Sequence, residues 1–362
     1  MASDGTVHAA QIEDDLPYLT AGLRGVGGVL RRQPEDFQVE EMPLYLPAGQ
    51  GEHLYARVTK RGLSTPDLVT TMASVLGVKS RCIGVAGLKD ARAVTTQLVS
   101  VQGINPDILS RLDRDPRILS VDVLGWHGNR LRTGHHAGNR FRIVIRDVEA
   151  DAAEAVTEIL NEVTRRGMPN YFGPQRQGRK GVNFRTGAVL LRDARRRNRM
   201  PRSQRMWFLH AFQSFLFNKI LSSRIDRLDR ILAGDWAMKH ANGACFVVED
   251  AEAEQVRADA FEISPTGPLF GSRAPWASGE PGAVERAAAA ELDETPESLQ
   301  AAASACGFRG ERRALRVKPH NLEWRIDGQS LTLSFVLPPG AYATSLLREI
   351  MKPQAASEAR GG

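Results

Sequence analysis

The chain has 362 residues, 42% hydrophobic and 25% charged, with a net charge of +6, a globular composition long enough for two domains. No apolar run approaches the roughly eighteen residues of a membrane span, and the amino terminus lacks the basic start and apolar run of a signal peptide. Three widely spaced cysteines, Cys82, Cys245 and Cys306, form no CxxC pair, which favours a reducing, cytoplasmic setting and argues against a structural zinc site.

The first elements read as extended chain. Residues 1–24 are expected to be a loosely ordered, flexible terminus that ends at the glycines beginning with Gly25. Residues 29–41 predict two short extended pieces interrupted at Pro34, and residues 54–58 predict another strand.

A helix is predicted next, with Ser64 or Thr65 as its cap, Pro66 in its first turn and Gly77 as its end. Its apolar positions recur at helical spacing and should face a core: Leu68, Val69, Met72, Val75 and Leu76.

A loop bounded by glycine, residues 87–94, follows between strands predicted at 82–86 and 96–101. Such a loop presents Asp90 where a ligand can reach it, with Lys89 and Arg92 nearby to keep the carboxylate ionised. The loop lacks a phosphate-binding GxxxxGK[ST] pattern. The alternative reading is a turn aspartate that bonds to its own backbone.

A short helix after Asn105–Pro106, strands at 119–124 and 140–146, and a helix at 150–164 lead to a strongly basic stretch. Residues 165–205 contain thirteen arginines or lysines against one acid, Asp193, which makes the stretch +12 and the rest of the chain −6. Such a concentration favours a polyanionic partner, and nucleic acid in particular. A solvated, charged surface remains the alternative.

The carboxy-terminal half mixes helices and strands. An apolar stripe at helical spacing is interpreted as helix core: Trp207, Phe208, Ala211, Phe212, Phe215 and Leu216. Residues 262–300 are rich in proline and glycine and then predict an alanine-rich helix, and residues 330–336 alternate like a strand. Pro338–Gly340 should end that strand before a final helix near Tyr342. Without regular βαβ alternation, an α+β fold is predicted.

Three further segments carry candidate site residues: RRQPEDF at 31–37, GHHAGNRF at 134–141 and LPPGAYATSLLRE at 337–349. Pro34 stiffens a turn that could present Phe37 to a base, and Asn139 offers a donor and an acceptor that suit a uracil edge. The adjacent histidines in the second segment do not suit a metal site. On sequence alone the aromatics Phe37, Phe141 and Tyr342 are better explained as residues of a hydrophobic core.

These segments, in this order, resemble the TruD family of pseudouridine synthases, as does GMPNYFGPQR at 167–176, which is similar to that family's NYFGxQR signature. The resemblance extends over residues 29–351. It implies a catalytic domain with a central mixed or antiparallel sheet, residues 25–164 with 317–351, interrupted by an RNA-binding α/β insertion at 165–316. Residues 352–362 are expected to be a flexible terminus.

The resemblance also implies roles for single residues. The family nucleophile falls on Asp90, and its substrate-contacting residues fall on Phe37, Asn139 and Tyr342, with Phe141 adjacent. Arg31 falls on the basic position that would pair with Asp90. The implied reaction is isomerisation of uridine to pseudouridine in structured RNA, with uridine 13 in the D arm of tRNA as the expected target. We expect a cytoplasmic monomer with tRNA as partner and no cofactor, metal or membrane.

The chain departs from the family pattern at four positions: Arg31 and Tyr342 stand where lysine and phenylalanine are usual, Ala91 replaces a basic residue, and Gln177 replaces a phenylalanine. Two other functions are weighed against the isomerase. One is a non-catalytic RNA-binding protein that uses the basic stretch. The other is a metal-dependent nuclease that uses Asp36, Glu40 or Asp90, which would need those carboxylates to converge.

Overall fold

The structure is a computed structural model that describes residues 7–8, 16–178 and 182–352. Most of the expected flexible termini, 1–24 and 352–362, therefore lies outside the described residues, as do Arg179 and Lys180 of the basic stretch. Among the residues that are described, no helix is both long and apolar enough to cross a membrane.

The helices are α1 Thr65–Leu76, α2 Ala152–Arg166, α3 Asn183–Arg192, α4 Ala194–Arg199, α5 Arg202–Ser222, α6 Ala251–Asp259, α7 Gly279–Ala290, α8 Pro296–Cys306 and α9 Ala343–Met351. The strands are β1 Val7–His8, β2 Val29–Leu30, β3 Phe37–Pro43, β4 His53–Arg61, β5 Ile83–Val85, β6 Val94–Gln102, β7 Ile118–His127, β8 His136–Arg146, β9 Met168–Pro169, β10 Trp236–Lys239, β11 Cys245–Val247, β12 Ile263–Leu269, β13 Glu311–Ala314, β14 Arg316–Val317, β15 His320–Asp327 and β16 Ser330–Leu337.

A ten-stranded sheet forms the centre of the molecule, with the order β1-β2-β8-β3-β6-β4-β7, while β16 joins β8 to β15 and β5 pairs with β6. Within this sheet β3 and β6 run parallel, and the other paired strands are antiparallel. The predicted α+β class with a central mixed sheet is confirmed.

The strands β2 and β3 pair with β8 one after the other along its length: Leu30 lies opposite Ile145, and Phe37 lies opposite Ile143. The six residues between β2 and β3 lie outside both strands and include a short 3-10 turn at Pro34–Asp36. The predicted interruption at Pro34 is therefore confirmed. In the fold it projects Arg31 from the sheet beside the start of β6.

The predicted first helix is confirmed with its ends. The Ser64 side chain accepts from the Asp67 amide at the start of α1, and Gly77 ends the helix at a φ of 69°, a left-handed conformation that glycine adopts without strain. Leu68 and Met72 are fully buried in the core beneath β4 and β6. α1 thus packs on β6, the strand that follows the loop carrying Asp90.

One expectation for the carboxy-terminal half, the burial of Trp207, needs correction. Trp207 is 58% exposed, because it points away from the face of α5 that buries Phe212 and Leu216. The proline-rich run from Pro265 to Pro268 lies in a fully buried strand, β12, between β10 and β13. The proposed boundaries of the insertion, 165–316, stay a prediction.

Candidate active site

Asp90 lies on the exposed loop between β5 and β6, with 47% of its side chain accessible. Arg31 Nη2 lies 3.3 Å from Asp90 Oδ2. β3 and β6 run parallel, with Gln38 opposite Val94. The segment before β3, residues 31–36, and the loop before β6 therefore reach the same edge of the sheet. The predicted pairing of Arg31 with Asp90 is therefore present, between residues 59 apart in sequence.

The backbone of residues 31–36 is held in a constrained geometry. Arg31 has a φ of 56°, in the left-handed region that costs a non-glycine residue roughly 1 kcal/mol. The fully buried Asp36 anchors the end of the turn through Arg146, whose Nη2 lies 2.6 Å from Asp36 Oδ1. Asp36 also accepts from the Gln33 amide at 3.1 Å. These contacts fix the end of the segment that carries Arg31.

The Arg31 guanidinium also covers Phe37, with Cζ 4.1 Å from the ring centroid. Phe37 is only 5% exposed and meets Phe141 edge to face at 6.4 Å, while Phe141 stacks on Phe335 at 5.2 Å. Both predicted substrate aromatics therefore belong to the hydrophobic core, and neither presents an uncovered ring. A base that stacks on Phe37 would have to displace Arg31.

The candidate Asn139 lies on β8 between Glu41 of β3 and Leu337 of β16. Its Oδ1 accepts from Lys89 Nζ at 2.9 Å, and the same ammonium donates to Glu41 Oε2 at 2.8 Å. Although Lys89 adjoins Asp90 in sequence, its ammonium thus pairs with the buried Glu41 carboxylate, away from the loop surface. Arg92 is exposed, and Arg31 is the ion-pair partner that the described residues provide for Asp90.

A second lysine lies beneath this loop. Lys60 of β4 is fully buried, and its ammonium donates to the Leu63 carbonyl. Burial, with a smaller contribution from the Lys89 ammonium, lowers the pKa of Lys60 to about 8. The positive charge on Lys60 therefore lowers the stability of the folded state near neutral pH.

Tyr342 immediately precedes α9, on the loop that follows β16, and is half-buried. Its ring lies 6.0 Å from Phe172, and its hydroxyl oxygen accepts from Arg176 Nε at 3.4 Å. Unlike Phe37, Tyr342 keeps part of its surface accessible. It is thus the candidate aromatic that is available for stacking on a base.

Arg313 of β13, which the sequence did not single out, connects this loop to the NYFGxQR segment. It donates to the carbonyls of Asn170 and Gly340 at 3.1 and 3.0 Å, and its Cζ lies 4.1 Å from the Phe172 centroid. Burial lowers the pKa of Arg313 to about 10, so it remains charged at neutral pH. Only the density of arginines near residue 313 could have drawn attention to it.

The carboxylates of the nuclease hypothesis do not converge. Asp36 is bound to Arg146, and Glu40 pairs with Arg140 at 2.9 Å, each away from Asp90. The described residues contain no group of three His, Cys, Asp or Glu side chains arranged to hold a metal ion. The structure therefore does not bring together the ligands that this hypothesis requires.

The basic stretch divides into bound and exposed arginines. Arg166 and Arg192 form ion pairs with Asp229 and Glu294, and Arg197 donates to the carbonyls of Leu190 and Leu191. Exposed members line a cavity of about 450 Å³ between α3 and α4 together with apolar side chains; they are Arg185, Arg199 and Arg196, the last of which also lies 3.4 Å from Asp193. This cavity lies in the part of the chain predicted to bind RNA.

Comparison with known proteins gives consistent matches. The chain matches a protein-family model described as tRNA pseudouridine synthase D (TruD) over residues 15–197 and 196–350. It is 44% identical to a tRNA pseudouridine synthase D of Thermus thermophilus, covering 94% of this chain and 93% of that one. It is 40% identical to that of Geobacter metallireducens, covering 92% and 97%. The crystal structure of a Methanosarcina mazei protein described as a putative tRNA pseudouridine synthase D aligns with a TM-score of 0.76 at 26% identity, covering 95% and 97%.

Proposed function

The chain belongs to the TruD family of tRNA pseudouridine synthases, and from that premise we propose that it converts uridine 13 in the D arm of tRNA to pseudouridine, with Asp90 as nucleophile. The membership makes it an isomerase that acts on tRNA. The target position and the role of Asp90 are the proposal. The observation that carries it is the accessible Asp90 carboxylate held by Arg31 at 3.3 Å.

The reaction breaks the bond between ribose C1′ and uracil N1, turns the base, joins C5 to C1′ and transfers the C5 proton. Atoms and electrons are conserved, so the overall change needs no oxidant, reductant or group donor. A stacked uridine must first be flipped out so that its ribose and base can approach the loop. Asp90 then acts as an anionic nucleophile, and its bond to the uridine breaks again as C5 joins C1′, which restores the free carboxylate. Arg31 keeps that carboxylate oriented for the attack.

The remaining candidates hold the flipped uridine. The half-buried Tyr342 supplies the aromatic ring on which a base stacks. Asn139 contacts the polar edge of uracil from β8. Arg31 packs on Phe37, so Phe37 and Phe141 act by supporting the pocket wall and the arginine.

The exposed arginines of α3 and α4 would bind the RNA backbone at a distance from the chemistry. Arg185, Arg196 and Arg199 flank a concave surface, and phosphate neutralisation by such side chains supplies most of the sequence-independent affinity for RNA. We expect a monomer to suffice, since the proposed residues all belong to one chain.

The test is to incubate the protein with a cellular tRNA pool and to map the new pseudouridines. Asp90→Asn should lose several orders of magnitude in rate while binding tRNA nearly as well, because the amide keeps the shape but cannot act as a nucleophile. Turnover of Asp90→Asn within tenfold of wild type would refute the role of Asp90. A different mapped position would refute only the assignment of uridine 13.

A further inference from the structure

The side-chain amide of Asn139 is oriented by a lysine. Lys89 Nζ lies 2.9 Å from the Asn139 side chain, and an ammonium group carries only donors. The atom that faces it must therefore be Oδ1, so the amide orientation follows from chemistry. Asn139 is half-buried, and within the described chain its Nδ2 group donates to no protein acceptor. The side chain consequently offers its two N–H donors to whatever enters the site.

Lys89 is itself held at both ends. Its ammonium donates to Glu41 Oε2 at 2.8 Å, and Glu41 is fixed in turn by the Leu98 amide at 3.2 Å. Its backbone amide donates to Thr65 Oγ1 at 2.8 Å. The side chains of Lys89 and Glu41 are only 6% and 0% exposed, so water does not compete for this pair.

The ion pair passes close to the backbone of the loop at Gly87. A Cβ at Gly87 would lie 2.6 Å from Glu41 Oε2 and 2.7 Å from Lys89 Nζ, closer than non-bonded atoms approach. A side chain at this glycine of the GLKD loop would therefore have to displace the two charged groups of the ion pair. Loop, ion pair and Asn139 form one preorganised unit next to Asp90.

The orientation of Asn139 has a consequence for base choice. Uracil presents carbonyl acceptors on both sides of N3–H, whereas cytosine carries an amino donor in place of one carbonyl. An amide that presents N–H groups can satisfy a uracil carbonyl. Placed opposite position 4 of the base, it meets the amino group of cytosine donor to donor, which leaves both groups without a partner on binding.

Building on the proposed function, we infer that Lys89, held by Glu41, is a positioning residue that makes Asn139 a donor and so selects uracil over cytosine. Lys89 acts through Asn139 and does not touch the base. Its charge is neutralised by Glu41 so that the ammonium does not form a competing pair with Asp90. The predicted contribution of Asn139 as both donor and acceptor is reduced to that of a donor.

The experiment begins with wild-type protein, which fixes the modified position in tRNA. Affinities are then measured in the Asp90→Asn background for three transcripts that carry uridine, cytidine or an abasic residue there. The variant Glu41→Gln with Lys89→Met removes both charges together, so neither ion is left buried alone. We expect it to reduce the preference for uridine over cytidine by about three- to tenfold, the worth of one hydrogen bond, and to leave abasic binding unchanged.

Two further variants separate positioning from a merely structural role. In an Asn139→Ala background the charge-neutral pair should change the preference no further, because Lys89 acts through Asn139. Asn139→Asp keeps the contact with Lys89 but places an acceptor where the donors were, and it should shift the preference towards cytidine. It also serves if the charge-neutral pair does not fold.

Each outcome has one meaning. An unchanged uridine preference in the folded charge-neutral variant, or an effect that adds to that of Asn139→Ala, overturns the role of Lys89. Asn139→Asp whose preference does not shift towards cytidine also overturns it. A wild-type protein that forms no pseudouridine overturns the proposed function and this inference with it.

Discussion

Replacing Arg31 by methionine tests whether the contact with Asp90 matters to the reaction or only to the fold. Methionine keeps Cβ and an unbranched chain, so the backbone strain at a φ of 56° is the same in both proteins. The half-exposed ion pair contributes about 0.2–1 kcal/mol, and the packing of the guanidinium on Phe37 contributes about 0.5–1 kcal/mol. We therefore expect a loss of stability of about 1–2 kcal/mol.

In the proposed mechanism Arg31 orients the reacting carboxylate, so the effect on rate should be disproportionately large. Displacement of a catalytic group by about 1 Å can cost a hundredfold, so we expect a ten- to hundredfold slower single turnover at saturating tRNA. Denaturant unfolding of the same variant supplies the stability. Arg31→Lys is the matched control, since it retains the charge that the family usually places there, and it should keep most of the rate.

Three results would contradict this reasoning. Arg31→Met that reacts within twofold of wild type would show that Asp90 needs no oriented partner. A loss of stability above about 3 kcal/mol would make Arg31 a structural residue, because the two contacts cannot account for that much. Arg31→Lys that is as slow as Arg31→Met would assign the effect to packing on Phe37.

Two further predictions concern RNA binding and pH. The exposed arginines of α4 are Arg195, Arg196 and Arg199. Changing all three to glutamine should weaken tRNA binding and reduce the slope of its log–log salt dependence by about 2–3 units, while the rate at saturating tRNA stays the same. Arg197→Gln is the control that should lose stability with little change of slope, since Arg197 binds helix carbonyls, and equal slopes in all variants would refute the contact. Folding lowers the pKa of Lys60 from 10.5 to about 8, so the unfolded chain binds more protons than the folded chain between these pH values. The free energy of unfolding of the wild-type protein, relative to that of Lys60→Met, should therefore rise by roughly 1–3 kcal/mol from pH 8 to 10.5. Unfolding titrations that run parallel across this window would show that Lys60 titrates normally.

Much of the local structure is determined by neighbouring residues in the sequence. The ends of α1 follow from Ser64 and Gly77, and the break after β16 follows from Pro338–Gly340, because caps and turns are satisfied within a few residues. The motifs also identified Asp90 and its partner Arg31, although the contact itself depends on the parallel alignment of β3 and β6.

The tertiary structure decided what the candidate side chains contact. Sequence proximity assigned Lys89 to Asp90, but the register that sets Glu41 opposite Asn139 brings two partners to its ammonium from 48 and 50 residues away. The buried carboxylate wins that competition because an ion pair is stronger where water is excluded than at the exposed Asp90. Phe37 likewise suited either a base or a core, and only the fold placed the Arg31 guanidinium over its ring. Which residues are available to a substrate is thus set by long-range strand register and burial, and neither is encoded within one segment.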